Sequence, residues 1–260
     1  MISKLNYSKR SLNSINLFHD FKLSDILTFK NKFLITRHGE SIWNKSSNFT
    51  GWTDIPLTNH GKQQAIDMAN VMISKTGLIP NLIFSSVLKR SLDTSTIIKQ
   101  ELDKFTNNNI NIQTSWRLNE RHYGRLEGTS RQDFRDKYGE QFLDMVRSDF
   151  YIKPPIFDTL KKENITVYQN CYIEKLINGE SIEDVLNRLL PYYENDIAYT
   201  FKENSFPLIV AHKHSIRVLM KHLLKMSDEE FVKFKLPSET MILVCLDDDM
   251  KYNCHFNIKY

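Results

Sequence analysis

Short apolar runs of strand length alternate along this chain with segments of helical periodicity. The strand-like runs are Phe33–Thr36, Leu82–Ser85, Leu208–Ala211, Thr240–Leu246 and Tyr252–Ile258. Between them, apolar residues recur at helical spacing, in Ala65–Met72 and most clearly in Ile216–Leu224. Strands that alternate with helices favour a mostly parallel sheet covered on both faces. The predicted fold is therefore α/β, a three-layer α/β/α sandwich.

The chain divides into an N-terminal extension, residues 1–31, and one domain, residues 32–260. The extension is rich in Ser, Asn and Lys and has no acidic residue before Asp20, which fits either a transit peptide or a loosely packed extension. Residues from about 129 to 188 are polar, compatible with helix and interrupted by Pro154-Pro155. We interpret this segment as a mainly helical cap inserted on the sheet, and not as a separate domain.

Composition excludes several classes of partner. The formal net charge of +4 over 260 residues is too small and dispersed to indicate a nucleic-acid-binding protein. No apolar run approaches the roughly 18 residues that a membrane helix needs. The three cysteines form no CxxC pair, which favours structural thiols in a reducing compartment. These observations predict a cytoplasmic protein without nucleic-acid or membrane partners, and they leave organellar targeting by the extension open.

Two histidines directly follow predicted strands. His38 lies in Arg37-His38-Gly39, immediately after the first strand, and His212 follows Leu208–Ala211. Ligands of open α/β sheets bind beyond the carboxyl ends of the strands. We therefore expect the two imidazoles to approach each other at one sheet edge, although they are far apart in sequence.

This pair of histidines, with nearby basic and acidic residues, suits phosphoryl transfer. Such a reaction needs a neutral nucleophile with a fixed tautomer, cations for the phosphate oxygens and a proton donor. His38 is the candidate nucleophile, and Arg37 and Arg90 are candidate clamps because guanidinium groups bind phosphate bidentately. Arg90 also begins a predicted helix, whose first amides favour an anion. His212 would complete the clamp if the bound dianion causes its protonation. Glu120 is the candidate proton donor, its pKa expected to be raised by apolar and aromatic neighbours.

Several segments together closely resemble the cofactor-dependent phosphoglycerate mutases of the histidine phosphatase superfamily. They are Arg37–Asn44, Phe49–Thr58, Ser85–Ser91, Trp116–Gly124, Glu180-Ser181, Arg188–Tyr192, Ala211-His212 and Ser215–Arg217. The resemblance covers roughly residues 33 to 256. The Asn119–Gly124 block is distinctive of the mutase branch, whereas Arg-His-Gly alone marks the whole superfamily.

The resemblance implies a glycolytic reaction, the interconversion of 2- and 3-phosphoglycerate with 2,3-bisphosphoglycerate as phosphate donor and no metal. It implies that His38 is phosphorylated, that Glu120 is the acid/base, and that Arg37, Arg90 and His212 hold the transferring group. The residues expected to bind substrate are Asn44, Thr50, Gly51, Arg121, Tyr123, Arg131, Arg147, Lys213 and His214. The expected partners are small phosphorylated metabolites, and a homodimer is left open.

Several positions depart from the family pattern. Lys213-His214 stand where the family has Gly-Asn, and Arg131 replaces a lysine. Arg147-Ser148 replaces an Arg-Arg pair, so one expected anion contact is missing. The cap between residues 155 and 179 is shorter than usual. Family members also continue beyond the position of Tyr260 into a tail that folds over the site.

These departures leave the acceptor of the phosphoryl group open. A mutase must retain its bisphosphorylated intermediate and keep water from the phosphohistidine. Loss of one arginine–anion contact weakens binding by about 1.5–3 kcal/mol, and an open lid admits water. The alternative is therefore a phosphatase that hydrolyses phosphomonoesters by the same mechanism. A non-catalytic scaffold on this fold is a third alternative, which retention of all five candidate catalytic residues disfavours.

Overall fold

A six-stranded sheet forms the centre of the computed structural model, which describes residues 29–106, 109–155, 179–203 and 205–260. Its strands are β1 (Asn31–Arg37), β2 (Leu82–Ser85), β3 (Asn111–Thr114), β4 (Pro207–Ala211), β5 (Thr240–Leu246) and β6 (Tyr252–Lys259). The spatial order is β3-β2-β4-β1-β5-β6, with β5 antiparallel to both neighbours and the other pairs parallel. The predicted mostly parallel sheet is confirmed, and β3 adds an edge strand that was not predicted.

Eight α-helices accompany the sheet in the described residues. They are α1 (Ile42–Lys45), α2 (Asn59–Val71), α3 (Lys89–Asp103), α4 (Arg131–Tyr138), α5 (Glu140–Ser148), α6 (Ile182–Tyr192), α7 (Lys213–Leu224) and α8 (Asp228–Lys233). Serine or threonine side chains accept hydrogen bonds from the first turns of α1, α2, α4, α6 and α8. These contacts satisfy amide groups that have no partner within the helix, so the local sequence fixes where these helices begin.

The helices cover both faces of the sheet. Leu34 of β1 packs in one apolar cluster with residues of α2 and α3, whereas Phe33 and Ile35 pack in a second cluster with α6 and α7. This alternation follows from the two-residue period of a strand. The three-layer sandwich is therefore confirmed, as are the helical patterns in Ala65–Met72 and Ile216–Leu224, whose apolar residues face the sheet.

The described part of the cap is helical. Phe134 of α4 and Leu143 and Val146 of α5 form a third apolar cluster with Phe49 and Tyr123. This cluster seats the two cap helices on loops at the edge of the sheet. The shorter cap segment lies mostly outside the described residues, as do residues 1–28 of the predicted extension.

The sequence also led to predictions on the cysteine thiols and on membrane segments. Cys245 and Cys254 are free thiols on adjacent strands, and Cys171 lies outside the described residues. Among the described residues, no helix is both long enough and apolar enough to span a bilayer.

The carboxyl ends of β1, β2 and β4 meet at one edge of the sheet. Arg37 pairs with Ala211, and Ser85 pairs with Val210. The backbone N–H of His38 continues this ladder by donating to the carbonyl of Ala211 at 3.0 Å. Residues that follow these three strands are therefore held side by side, far apart in sequence but adjacent in space.

Candidate active site

His38 is buried at this edge as a neutral imidazole with a fixed tautomer. Its Nδ1 lies 2.6 Å from the carbonyl oxygen of Gly39. A carbonyl can only accept, so Nδ1 carries the proton and the lone pair is on Nε2. Burial, followed by the cations of Arg90 and Arg37, lowers the pKa of His38 well below its usual value. The residue therefore meets two requirements of a nucleophile, a neutral ring and a free nitrogen.

His212 faces His38, as the positions of the strands predicted. The ring centroids are 4.8 Å apart, with the ring planes inclined at 55°. The Nε2 atom of His212 lies 2.7 Å from Oγ of Ser86, which follows β2. Burial, with Arg90 and His38, lowers the pKa of His212 well below its usual value. The buried Nδ1 has no hydrogen-bond partner among the described residues, and His212 is not among the residues that line the cavity beside His38.

Arg90 is a buried cation fixed by two backbone carbonyls. It is the second residue of α3 and is 1% exposed. Its Nη atoms donate to Gly51 O at 2.7 Å and to Thr53 O at 3.0 Å. The buried Nε has no hydrogen-bond partner in the described part of the chain. The guanidinium is therefore held in place while its Nε–H remains available to an anion.

Two glycines let backbone segments approach closely enough to build this site. A Cβ on Gly39, next to His38, would lie 2.1 Å from the carbonyl oxygen of Gly61 in α2. Gly51 has a φ of +53°, and a Cβ there would lie 1.9 Å from an oxygen of Glu127. The first approach positions the His38 loop, and the second orients the carbonyl that holds Arg90.

Glu120 lines the same cavity as His38, and its charged carboxylate form is stabilised there. Burial alone would raise the pKa of Glu120; the electrostatic interaction and hydrogen bond with His214, together with the nearby His212, hold this pKa well below its usual value. The expectation of a raised pKa is therefore wrong for the unliganded site. The sequence showed the apolar surroundings but not the donors that the fold brings to the carboxylate.

One cavity of about 560 Å³ contains most of the predicted site. The predicted residues that line it are Arg37, His38, Asn44, Thr50, Gly51, Arg90, Glu120, Tyr123, Arg131, Arg147, Lys213 and His214. Five of these side chains are arginine or lysine, and buried Arg131 Nε, like Arg90 Nε, has no partner among the residues described. The cavity is thus built for a small ligand with more than one negative group.

Arg121, which was predicted to contact the ligand, does not line the cavity. Its guanidinium is buried and donates to the backbone carbonyls of Glu180, Val146 and Ile152 at 2.6–2.7 Å. With these donors engaged, Arg121 braces the Asn119–Gly124 loop against the cap, in place of the expected ligand contact. Its neighbour in sequence, Glu120, faces the cavity because adjacent residues of an extended loop point in opposite directions.

Some residues of the site were not predicted. Ser86 fixes the Nε2 atom of His212, and its place directly after β2 was the signal that could have identified it. The cavity also extends to a rim that includes Gln64, Glu239 and Tyr260. Nothing in the sequence pattern connects these three residues with the histidines.

No group of three or more His, Cys, Asp or Glu side chains in the described residues is arranged to hold a metal ion. The cationic groups of the site are instead protein side chains, chiefly Arg37 and Arg90 around the two histidines. These arginines can supply the charge that a phosphoryl group requires.

Residues 33–258 match the histidine phosphatase superfamily (branch 1), the class of protein that this fold and facing histidine pair define. A 2,3-bisphosphoglycerate-dependent phosphoglycerate mutase of Buchnera aphidicola is 36% identical over 231 residues, 88% of this chain and 98% of the relative. A protein of the same name from Corynebacterium jeikeium is 35% identical over 84% of this chain and 85% of its own length. The chain belongs to the 2,3-bisphosphoglycerate-dependent phosphoglycerate mutase family within this superfamily.

Solved structures support the fold. A protein described as mycobacterial hydrolase 1 superposes with a TM-score of 0.66 at 21% identity, over 85% of this chain and 95% of that one. A mycobacterial glucosyl-3-phosphoglycerate phosphatase superposes with a TM-score of 0.65 at 22% identity, over 85% and 96% of the two chains. At this identity the likeness establishes the architecture, which mutases and phosphatases share.

Proposed function

We propose that this enzyme interconverts 2- and 3-phosphoglycerate through a phosphohistidine at His38, with 2,3-bisphosphoglycerate as phosphate donor. The observation that carries the proposal is the neutral, oriented His38, whose Nε2 is free in a cavity lined by Arg37, Arg90 and Glu120. The mutase relatives, of which this chain covers most of the length, support the choice of substrate.

Each residue of the proposed site has a chemical role. His38 Nε2 attacks phosphorus and later releases the phosphoryl group. Arg37, Arg90 and His212 stabilise the charge on the phosphoryl oxygens. Glu120 exchanges a proton with the oxygen that leaves or attacks. Of the predicted substrate contacts, those that line the cavity, apart from His214, remain proposals, with Arg131, Arg147 and Lys213 as the cations for the other anionic groups.

Hydrolysis by the same phosphohistidine is the second candidate function. The observation that favours it is Ser148, which stands where the family has an arginine and does not line the cavity.

Lys213 lines the cavity and offers a cation that the usual glycine lacks. We infer that Lys213 takes over part of the anion binding lost at residue 148, which favours the mutase.

A steady-state assay that measures both products separates the two functions. With 3-phosphoglycerate and catalytic 2,3-bisphosphoglycerate, we expect 2-phosphoglycerate to form with little free phosphate, and its formation to require the bisphosphate. Phosphate release from varied monoesters with little isomer would establish the phosphatase instead.

Lys213 makes the proposed substrate binding sensitive to alkaline pH. Burial, with Arg147 and Arg217, lowers the pKa of Lys213 to about 8. Deprotonation above that pH removes a positive charge, so kcat/KM for 3-phosphoglycerate is expected to decline as pH rises through about 8. Lys213→Ala should lower kcat/KM at pH 7 about tenfold or more, through loss of a charged contact.

The matched variant is Lys213→Arg, which keeps a charge that does not titrate in this range. It should remove the alkaline decline of kcat/KM measured between pH 6.5 and 9.5. If the decline is unchanged in Lys213→Arg, another group is responsible and Lys213 has no part in binding the anion.

A further inference from the structure

Three contacts converge on one oxygen of the Glu120 carboxylate. Oε1 accepts from the backbone N–H of Arg121 at 2.9 Å and of His214 at 3.1 Å, and it lies 3.0 Å from Nδ1 of His214. The two backbone contacts are available to any side chain at residue 214, whereas the third requires the histidine ring. No hydrogen bond from the described residues reaches Oε2, so this oxygen is the one left to exchange protons in the cavity.

The ring of His214 lies between Glu120 and the cap helix α5. Its Nε2 lies 3.3 Å from the carbonyl oxygen of Arg147 in α5, and its edge meets the ring of Tyr123 at a centroid distance of 6.1 Å. The side chain is buried, so packing restricts its orientation. A neutral imidazole has one N–H, and a charged carboxylate is a stronger acceptor than a carbonyl. The proton therefore belongs on Nδ1, facing Glu120.

Charged groups on several elements act on this pair. Lys213 is on the same helix, Arg121 follows Glu120, and the side chain of Arg147 lines the same cavity. Burial lowers the pKa of His214 to about 4; Lys213 and Arg121 act in the same direction, and Glu120 opposes them. The ring is then neutral at pH 7, and the carboxylate that receives its N–H carries the charge.

On the basis of the proposed function, we propose that His214 is a positioning residue that holds Glu120 as an oriented carboxylate, ready to receive the proton of an attacking hydroxyl. In that step the hydroxyl oxygen of the phosphoglycerate bonds to phosphorus, and the bond between phosphorus and His38 Nε2 breaks. The electron pair of that bond returns to Nε2, and the hydroxyl proton passes to Glu120. The return step transfers the proton from Glu120 to the leaving oxygen.

This assignment gives residue 214 the role of a donor to Glu120, which the asparagine expected from the resemblance could also fill. The predicted role of His214 was substrate binding, but both ring nitrogens face protein oxygens. Its influence on the ligand is therefore exerted through Glu120. With the proton on Nδ1, Nε2 has none to donate, so its approach to the Arg147 carbonyl is a packing contact with the cap helix and not a hydrogen bond.

The test compares His214→Leu with His214→Asn in the full chain, because the two side chains are similar in size and only asparagine can donate to Glu120. The first readout is a 13C NMR titration of the glutamate carboxyls, with the Glu120 signal assigned by its loss in Glu120→Gln. We expect leucine to raise the Glu120 pKa by about one unit or more and asparagine to restore most of that shift. The second readout is the acid limb of kcat/KM against pH, which should move with the titration.

The control is His255→Leu, which removes a ring that contacts Tyr252 on β6, outside the cavity; it should leave both readouts unchanged. If His214→Leu does not fold, His214→Phe keeps a ring without the donor. An unshifted Glu120 titration in either folded variant overturns the inference, as does a wild-type Glu120 that titrates at its ordinary value. Absence of phosphoglycerate conversion in a wild type with the expected titration overturns only the proposed function.

Discussion

Replacement of His38 by alanine is expected to lower turnover of 3-phosphoglycerate roughly 10⁴-fold or more. The reason is that Nε2 of His38 is the proposed nucleophile, whereas His212 is assigned to the phosphoryl oxygens. The Nε2 atom of His212 is engaged by Ser86, and its ring is positioned by a different strand. The measurement is kcat with purified wild-type and variant protein, accompanied by thermal unfolding to show that the fold persists.

The matched control is His222→Ala, a histidine near the end of α7 that lies outside the cavity. It should retain turnover within a factor of about two, as is usual for surface substitutions. Full turnover in His38→Ala would exclude a phosphohistidine mechanism at this residue, whatever the products are.

Glu120→Gln is expected to reduce kcat about 10²- to 10⁴-fold for substrates with an alkoxide leaving group. Glutamine has nearly the same shape, and its carbonyl oxygen can still accept from the N–H groups of Arg121 and His214. What it lacks is the ability to gain and release a proton at the reacting oxygen. The loss should therefore appear in kcat, with a smaller change in KM.

The leaving group provides the internal control for this variant. Para-nitrophenyl phosphate releases a stable phenolate that needs little protonation, so phosphorylation of His38 by this ester should be much less impaired in Glu120→Gln. Equal impairment with the alkyl and aryl esters, measured by pre-steady-state release of the alcohol product, would show that Glu120 acts by another route than proton transfer.

The sequence predicted those site residues that directly follow a strand or begin a helix. His38 and His212 directly follow β1 and β4, and parallel pairing of those strands brings the rings within 4.8 Å. Arg90 was predicted at the start of a helix, where the structure has it. The periodicity of apolar residues also predicted the sheet and the two helical layers, because strands buried on both faces have a strongly apolar sequence.

Residues on loops were harder to predict because their partners come from distant segments. The environment of Glu120 depends on His214, which reaches it only after β4 and α7 are in place. The guanidinium of Arg121 is directed by three backbone carbonyls, which carry no signature in the sequence. The resemblance identified both residues as important but could not separate a cavity residue from a bracing one.

The departures from the family pattern also acquire a physical meaning from the structure. Lys213 and His214 both line the cavity, and Nδ1 of His214 lies within hydrogen-bonding distance of Glu120. Lys213 adds a cation that titrates near pH 8, and His214 keeps Glu120 charged. Together they favour a phosphohistidine that is discharged to a bound, anionic acceptor.

The fate of the phosphoryl group on His38 distinguishes a mutase from a phosphatase. Enzyme labelled with radioactive 2,3-bisphosphoglycerate would be separated from free label, mapped for phosphohistidine at His38, and mixed with unlabelled 3-phosphoglycerate. We predict that the label leaves the protein in phosphorylated glycerates within one turnover. Label released mainly as inorganic phosphate, or absent from His38 at the start, would contradict the proposed mutase reaction.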